Sequence, residues 1–187
     1  MYQQDKRVIK TRKNIRETFL SLLKETAFDK ITVTQIADSA MIGKTTFYLH
    51  YSDKYELAEE CIRDFLFEIE CGIRQHCPRD GFDRNCLAEL ICFMGSLTDR
   101  ISLLNRISIN SFYLYDKIRD TISAVLKDVL RAGGFSEPKL DMVTYQLSSI
   151  IIDYLRYKSL INPGAGQAEY IQNLFTVLDL PQSAHTG

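Results

Sequence analysis

The sequence predicts an all-α fold, and three observations predict it. Apolar residues recur at spacings of three, four and seven, with little of the strict alternation that marks strands. Only four prolines and nine glycines interrupt 187 residues, which leaves room for long helices joined by short connections. Two segments, Thr32-Val33-Thr34-Gln35 and Asp53-Lys54-Tyr55-Glu56, carry the spacing of capping boxes, in which a Thr or Asp closes a helix start.

Composition narrows the class. Hydrophobic residues at 45% and charged residues at 25% are ordinary for a globular chain and exclude wholesale disorder. The longest unbroken apolar run, Leu90 to Met94, is far below the roughly 20 residues of a membrane helix. The basic N-terminus is followed by no apolar stretch of a secretory signal. Five cysteines, an odd number, fit a reduced protein better than a disulfide framework. A cytoplasmic protein away from membranes is expected. The net charge of −1 hides a division: residues 1–54 carry ten Lys/Arg against six Asp/Glu, residues 55–187 thirteen against eighteen. A basic head on an acidic body points to a polyanion met by the head alone.

The first helix is expected from about Lys6 to Thr26, since Val8, Ile15, Phe19 and Leu22/Leu23 share a face. A short second helix follows the Thr32 cap and ends near Ala40. After Met41-Ile42-Gly43 comes a third, from Lys44 to His50 or Tyr51. Asp53 then opens a long fourth helix, in which Ala58, Cys61/Ile62, Phe65 and Ile69 step by three or four until Cys77-Pro78-Arg79-Asp80-Gly81 breaks it. Further helices are expected over about 83–95 and from Tyr115 to Ala132, the latter stopped by Gly133-Gly134. Irregular or helical chain fills 98–114. A helix with Pro138 in its first turn continues to about Leu160, and a last one covers roughly 167–179.

Two short helices joined by a three-residue turn have the form of a helix-turn-helix, whose second helix enters the major groove. Lys44, Thr45, Thr46, Tyr48 and His50 supply donors for phosphates and base edges. Phe47 is expected to point inward as the anchor of that helix.

The run Ile31-Thr32-Val33-Thr34-Gln35-Ile36-Ala37-Asp38-Ser39-Ala40, then Lys44-Thr45-Thr46-Phe47-Tyr48-Leu49-His50-Tyr51, then Asp53-Lys54-Tyr55-Glu56-Leu57, resembles the DNA-binding domain of the TetR family in order and spacing. The resemblance covers about residues 8–65; the rest agrees in size and helix content. It implies a helix-turn-helix domain over 1–53 and a helical effector-binding and dimerisation domain over 54–187. It implies phosphate contacts from Thr32, Thr34, Tyr48, His50 and Lys54, with Gly43, Lys44, Thr45 and Thr46 opening the recognition helix onto bases or backbone. Lys10, Arg12 and Lys13 are expected to add sequence-independent attraction. Two residues depart from the pattern. Met41 stands where the family usually has Gly, so a left-handed backbone there would cost on the order of 1 kcal/mol. Gly43 stands where Ser or Thr often caps the recognition helix.

In the body, Leu140, Val143, Leu147, Ile150/Ile151, Tyr154 and Leu155 line one side of the penultimate helix, with Met142, Ile152 and Tyr157 spreading apolar character round it. Such a helix needs neighbours on two sides. By the resemblance, Leu147, Ile150, Ile151 and Tyr154, with Ile171, Leu174 and Phe175 of the last helix, would pair with their symmetry mates in a four-helix homodimer interface. A two-fold dimer implies a palindromic duplex DNA operator. Phe93, Met94, Leu97, Leu104, Phe112, Tyr113 and Tyr115 are the candidates for lining an apolar effector pocket.

The expected function is sequence-specific transcriptional regulation, most simply a repressor released by an unidentified small molecule. The fourth helix would be the lever, as the one connection between domains. Two alternatives share the head: control by a protein partner, or a thiol response through the cysteines. No C-x-x-C occurs, and Cys86 and Cys92 are expected to pack inward as small hydrophobes. No cofactor and no metal site is expected. The three histidines form no readable arrangement with a nucleophile, so an enzyme is not expected.

Overall fold

The computed structural model describes residues 6–77, 83–107, 113–134, 136–161 and 170–172. Every regular element among them is helical: α1 (Lys6–Glu25), α2 (Val33–Ser39), α3 (Lys44–Tyr48), α4 (Lys54–His76), α5 (Arg84–Ser96), α6 (Thr98–Leu104), α7 (Tyr113–Ala132) and α8 (Glu137–Arg156). A 3-10 turn at Phe28–Lys30 and a π-helical turn at Tyr157–Ile161 were not legible from spacing. α3 is shorter than expected, because Leu49 already closes it. Of the expected last helix, residues 170–172 are helical and the remainder lies outside the described residues.

Two compact units divide the chain. One comprises residues 1–65 and 103–111, the other 66–102 and 112–187. The chain therefore passes from unit to unit at three places, so α4 is not the single connection that the sequence predicted. In the first unit, the head, Ile15, Phe19 and Leu23 of α1 are buried together with Phe28, Ile36, Phe47, Leu57 and Ile62. Ile15, Phe19, Leu23, Phe47 and Ile62 are positions that the sequence put on inner faces; Phe28, Ile36 and Leu57 join them.

The second unit, the body, is built on the pairing of α7 with α8. Gly134 takes a left-handed φ of 85° after α7, a conformation glycine adopts without a Cβ penalty. Pro138 sits in the first turn of α8, as its fixed φ favours. Lys127 to Asp141 (2.5 Å) and Arg131 to Glu137 (2.9 Å) tie the two helices at their exposed rims. At Gly72 of α4, an added Cβ would lie 2.0 Å from the ring of Phe93. The missing side chain is the notch that lets α5 approach α4.

Candidate nucleic-acid interface

The head presents α3 on a frame fixed by caps and buried charge. Thr32 opens α2 with the capping box its sequence predicts: its hydroxyl accepts from the Gln35 amide (3.2 Å), while the Gln35 side chain accepts from the Thr32 amide (2.9 Å). Thr32 and Thr34 are both exposed at the start of α2, with the Thr32 hydroxyl engaged in the cap.

α2 ends in a Schellman arrangement. The Ile42 amide donates to the Ala37 carbonyl (3.0 Å) and the Met41 amide to the Asp38 carbonyl (3.1 Å). Between them Met41 has φ 54° and is 93% exposed. The turn has therefore kept its left-handed backbone despite the side chain, at a cost of about 1 kcal/mol. Asn14 of α1 donates to the carbonyl of Ala40 (2.8 Å), fastening the end of α2 to the first helix. Gly43 then caps α3 with extended backbone and no side-chain bond.

On α3, Lys44, Thr45 and Tyr48 are exposed, with Thr46 and His50 half-buried. Phe47 is fully buried and Tyr51 nearly so; their rings meet at 5.7 Å, and the ring of Tyr48 stands edge-on to Phe47 at the same distance. The inward Phe47 is as the sequence predicts. The structure thus brings Thr34, Gly43, Lys44, Thr45 and Tyr48 to the surface of one small unit.

Lys54 behaves differently from expectation. Its ammonium donates to the carbonyls of Phe28 (2.9 Å), Asp29 (3.0 Å) and Ile31 (2.9 Å) and lies over the rings of Phe28 and Tyr55. An ammonium has three donors, and all three are engaged, so Lys54 clamps the loop that leads into α2. Asp53 accepts from the amides of Tyr55 (2.8 Å) and Glu56 (2.9 Å), and Glu56 reaches back to the Ser52 amide (2.6 Å). The bonds from Ser52 hold the exposed Glu56 carboxyl below the ordinary glutamate range.

Sequence reasoning missed the buried charge under the frame. Glu60 of α4 is 7% exposed and is bound by Arg12 and, at 2.5 Å, by Arg16; Arg16 also pairs with Asp64 at 3.3 Å. Burial opposes the charge on Glu60, but hydrogen bonds from Arg12 and Arg16 outweigh it and hold the carboxyl below its usual range. Arg12 lies over the ring of Tyr51 at 5.0 Å. Burial, and then the carboxylate of Glu60, push the Tyr51 phenol up to about 12. Arg12 thus joins α1 to α4 and to the residue just past α3, and its expected role as free positive charge passes to Lys10 and Lys13, which are exposed. One signal was available: Arg12 and Arg16 on α1 and Glu60 and Asp64 on α4 are two like-charged pairs of opposite sign, the members of each four residues apart and so on one helix face.

In the body the expected sites are redistributed. Leu147, Ile151 and Tyr154 are buried within the single chain, whereas Ile150 and Ile171 are half-buried. The first three are core residues of the chain itself, because α8 turns that face inward. Its exposed apolar residues are Met142 and Tyr145. Leu174 and Phe175 lie outside the described residues. Of the pocket candidates, Met94, Leu97 and Tyr115 are buried in the body, but Leu104 belongs to the head unit. Phe93 fills the Gly72 notch and stacks on His76 at 5.3 Å. Phe112 lies outside the described residues, as does the side chain of Tyr113. Two body grooves of about 370 and 350 Å³ are lined by Arg74, Cys77, Asp128, Val129 and Ala132, and by Gly95, Ser96, Thr98, Asp99 and Ser102 with Lys158 and Ser159; none of the described pocket candidates lines either. Cys86 is buried as expected, but Cys92 is exposed. Among the described residues, no three His, Cys, Asp or Glu side chains gather as a metal site, and no helix is long and apolar enough to cross a membrane.

A capped helix pair with a solvent-facing second helix, in a small basic head on an all-α body, defines a helix-turn-helix protein. Residues 15–61 match the family described as bacterial regulatory proteins, tetR family. An uncharacterized HTH-type transcriptional regulator of Bacillus subtilis (strain 168), YxbF, is 37% identical over 68 residues; the match covers 36% of this chain and 18% of that protein's length. A TetR transcriptional regulator from Streptococcus agalactiae 2603V shares the fold with a TM-score of 0.64 at 24% identity, over 92% of this chain and 96% of its own. The SmeT–triclosan complex does so with a TM-score of 0.66 at 12% identity, over 93% of each chain. The family match thus lies within the head, at residues 15–61, and the solved structures share the fold of the whole chain.

Proposed function

We propose that this protein is a cytoplasmic transcriptional regulator that binds double-stranded DNA through α3, as a homodimer on a palindromic operator. The observation that carries this reading is the exposure of Lys44, Thr45 and Tyr48 on a helix whose other face is anchored by buried Phe47 and Tyr51. Lys44, next to the Gly43 cap at the N-terminus of α3, combines a side-chain charge with helix-end amides, an arrangement suited to phosphate. Thr34, Thr45 and Tyr48 add hydroxyls on the same unit, with half-buried Thr46 and His50 at its margin. The Thr32 cap and the half-buried Lys54 clamp hold the geometry of this unit. Lys10 and Lys13, exposed on α1 beside Asn14 and Ile42, supply charge independent of base sequence.

Dimerisation draws support from α8, where Met142 and Tyr145 remain exposed after the inner face is buried. In the simplest scheme the dimer represses and a small molecule bound by the body releases it. Release requires an effector with different affinity for the DNA-competent and DNA-incompetent states. The SmeT–triclosan complex has this fold and holds a small molecule, which supports an effector of that kind here.

Selection from a randomised duplex pool at two salt concentrations tests the reading. An enriched palindrome whose affinity falls steeply with salt is expected. Recovery of no sequence, with no salt dependence, would refute it.

A further inference from the structure

Two buried thiols lie together in the body. The sulfur of Cys86 is 2.8 Å from that of Cys77, and the two residues are 4% and 2% exposed. Buried cysteine ordinarily serves as a small hydrophobe, a role that needs no contact between two sulfurs. Both carriers are fixed by helix ends. The Cys77 amide donates to the Ile73 carbonyl (2.9 Å), prolonging α4, and the Cys86 amide donates to the capping carboxylate of Asp83 (2.9 Å) at the start of α5. A disulfide has a sulfur separation of about 2.05 Å, so closure requires the sulfurs to approach by about 0.8 Å.

Access lies on the Cys77 side. Cys77 lines the groove of about 370 Å³ formed with Arg74, Asp128, Val129 and Ala132, all within the body. Arg74 is held there by Glu70 and Asp128, at 3.1 and 3.2 Å. The remaining thiols differ in setting: Cys61 is buried in the head, while Cys71 and Cys92 are exposed.

We propose that Cys77 and Cys86 are an oxidative modification site, which a small hydroperoxide converts to an intramolecular disulfide between the end of α4 and the start of α5. Cys77, at the groove, attacks the distal peroxide oxygen; the O–O bond breaks, an alcohol (or water) leaves with the thiol proton, and Cys77 becomes a sulfenic acid. Cys86 then attacks the Cys77 sulfur, the S–O bond breaks, and water leaves with the Cys86 proton. Two thiols lose two electrons and the peroxide gains them. The hydrogen bond with Cys77 and burial both push the Cys86 thiol up, which disfavours Cys86 as the first nucleophile.

Peptide mapping of the intact protein tests this. The reduced protein is exposed to hydrogen peroxide, its remaining thiols are alkylated after unfolding, and it is digested without reductant. The expected product is a peptide linking Cys77 to Cys86, with the joint loss of these two of the five alkylatable thiols and their recovery with dithiothreitol. With Cys86→Ser, Cys77 should be trapped by a sulfenic-acid reagent; with Cys77→Ser, Cys86 should stay alkylatable. If Cys77 and Cys86 both remain alkylatable after Cys71 and Cys92 have been oxidised, or if links run chiefly to Cys71 or Cys92, the proposal is overturned. The wild-type map decides this even where a variant folds poorly.

Discussion

Glu60 in the head and Glu70 in the body stand on the same helix and each pairs with arginine, yet their surroundings differ. Glu60 is sealed between Arg12 and Arg16 beneath Tyr51, whereas Glu70 meets Arg74 at a surface where both side chains are more than a third exposed. The contrast extends to the units. The head holds its small recognition element by buried charge, caps and a lysine clamp; the body holds longer helices by apolar packing with ion pairs at the rim. A five-residue helix buries too little to fix its own orientation, so directional interactions must do it.

The largest expected effect follows from that difference. Glu60→Ala strands two partly buried arginines and should cost about 2–4 kcal/mol, allowing for the solvent each arginine retains, while Glu70→Ala should cost well under about 1 kcal/mol. Denaturant titrations of the two variants measure this, and equal losses would break the comparison. The same cluster sets a pH dependence. The folded-state pKa of Glu60 is depressed, so its contribution is present above the ordinary glutamate value near 4.3 and is lost as pH falls through the lower folded value. Melts between neutral and strongly acidic pH should therefore show a shallower acid loss for Glu60→Gln than for wild type; parallel curves would contradict the assignment.

Gly72→Ala comes next, on the body side. Its Cβ would press into the Phe93 ring and should lower stability by about 1–3 kcal/mol, read as a fall in thermal midpoint. An unchanged midpoint would show that the ring yields freely. The smallest effect is a gain. Met41→Gly relieves a left-handed backbone at an exposed turn and should add about 1 kcal/mol in the same assay; a loss would mean that the exposed side chain contributes contacts of its own.

The head was legible because its chemistry is local in sequence. The Thr32–Gln35 box, the Asp53 cap, the inward Phe47 and the left-handed position at Met41 all depend on residues within a few positions of one another. What was not legible required knowing which helices meet. Arg12 and Glu60 are far apart in sequence, and Lys54 finds its acceptors in a 3-10 turn that carries no periodic signal. The body failed for a related reason. Apolar spacing identified α8 as a helix with a large inner face, but a leucine facing its own core and one facing a partner have the same spacing. Leu147, Ile151 and Tyr154 therefore moved from expected interface to core, and the exposed face passed to Met142 and Tyr145.

In the proposed function α3 meets DNA while Lys54 holds the loop that leads into α2. Measuring duplex affinity against salt for wild type, Lys44→Ala and Lys54→Met tests it most directly. A steep wild-type slope is expected, reduced by about 0.9 in the log–log plot for Lys44→Ala and unchanged for Lys54→Met. A flat wild-type slope, or a reduction from Lys54→Met with none from Lys44→Ala, would contradict it.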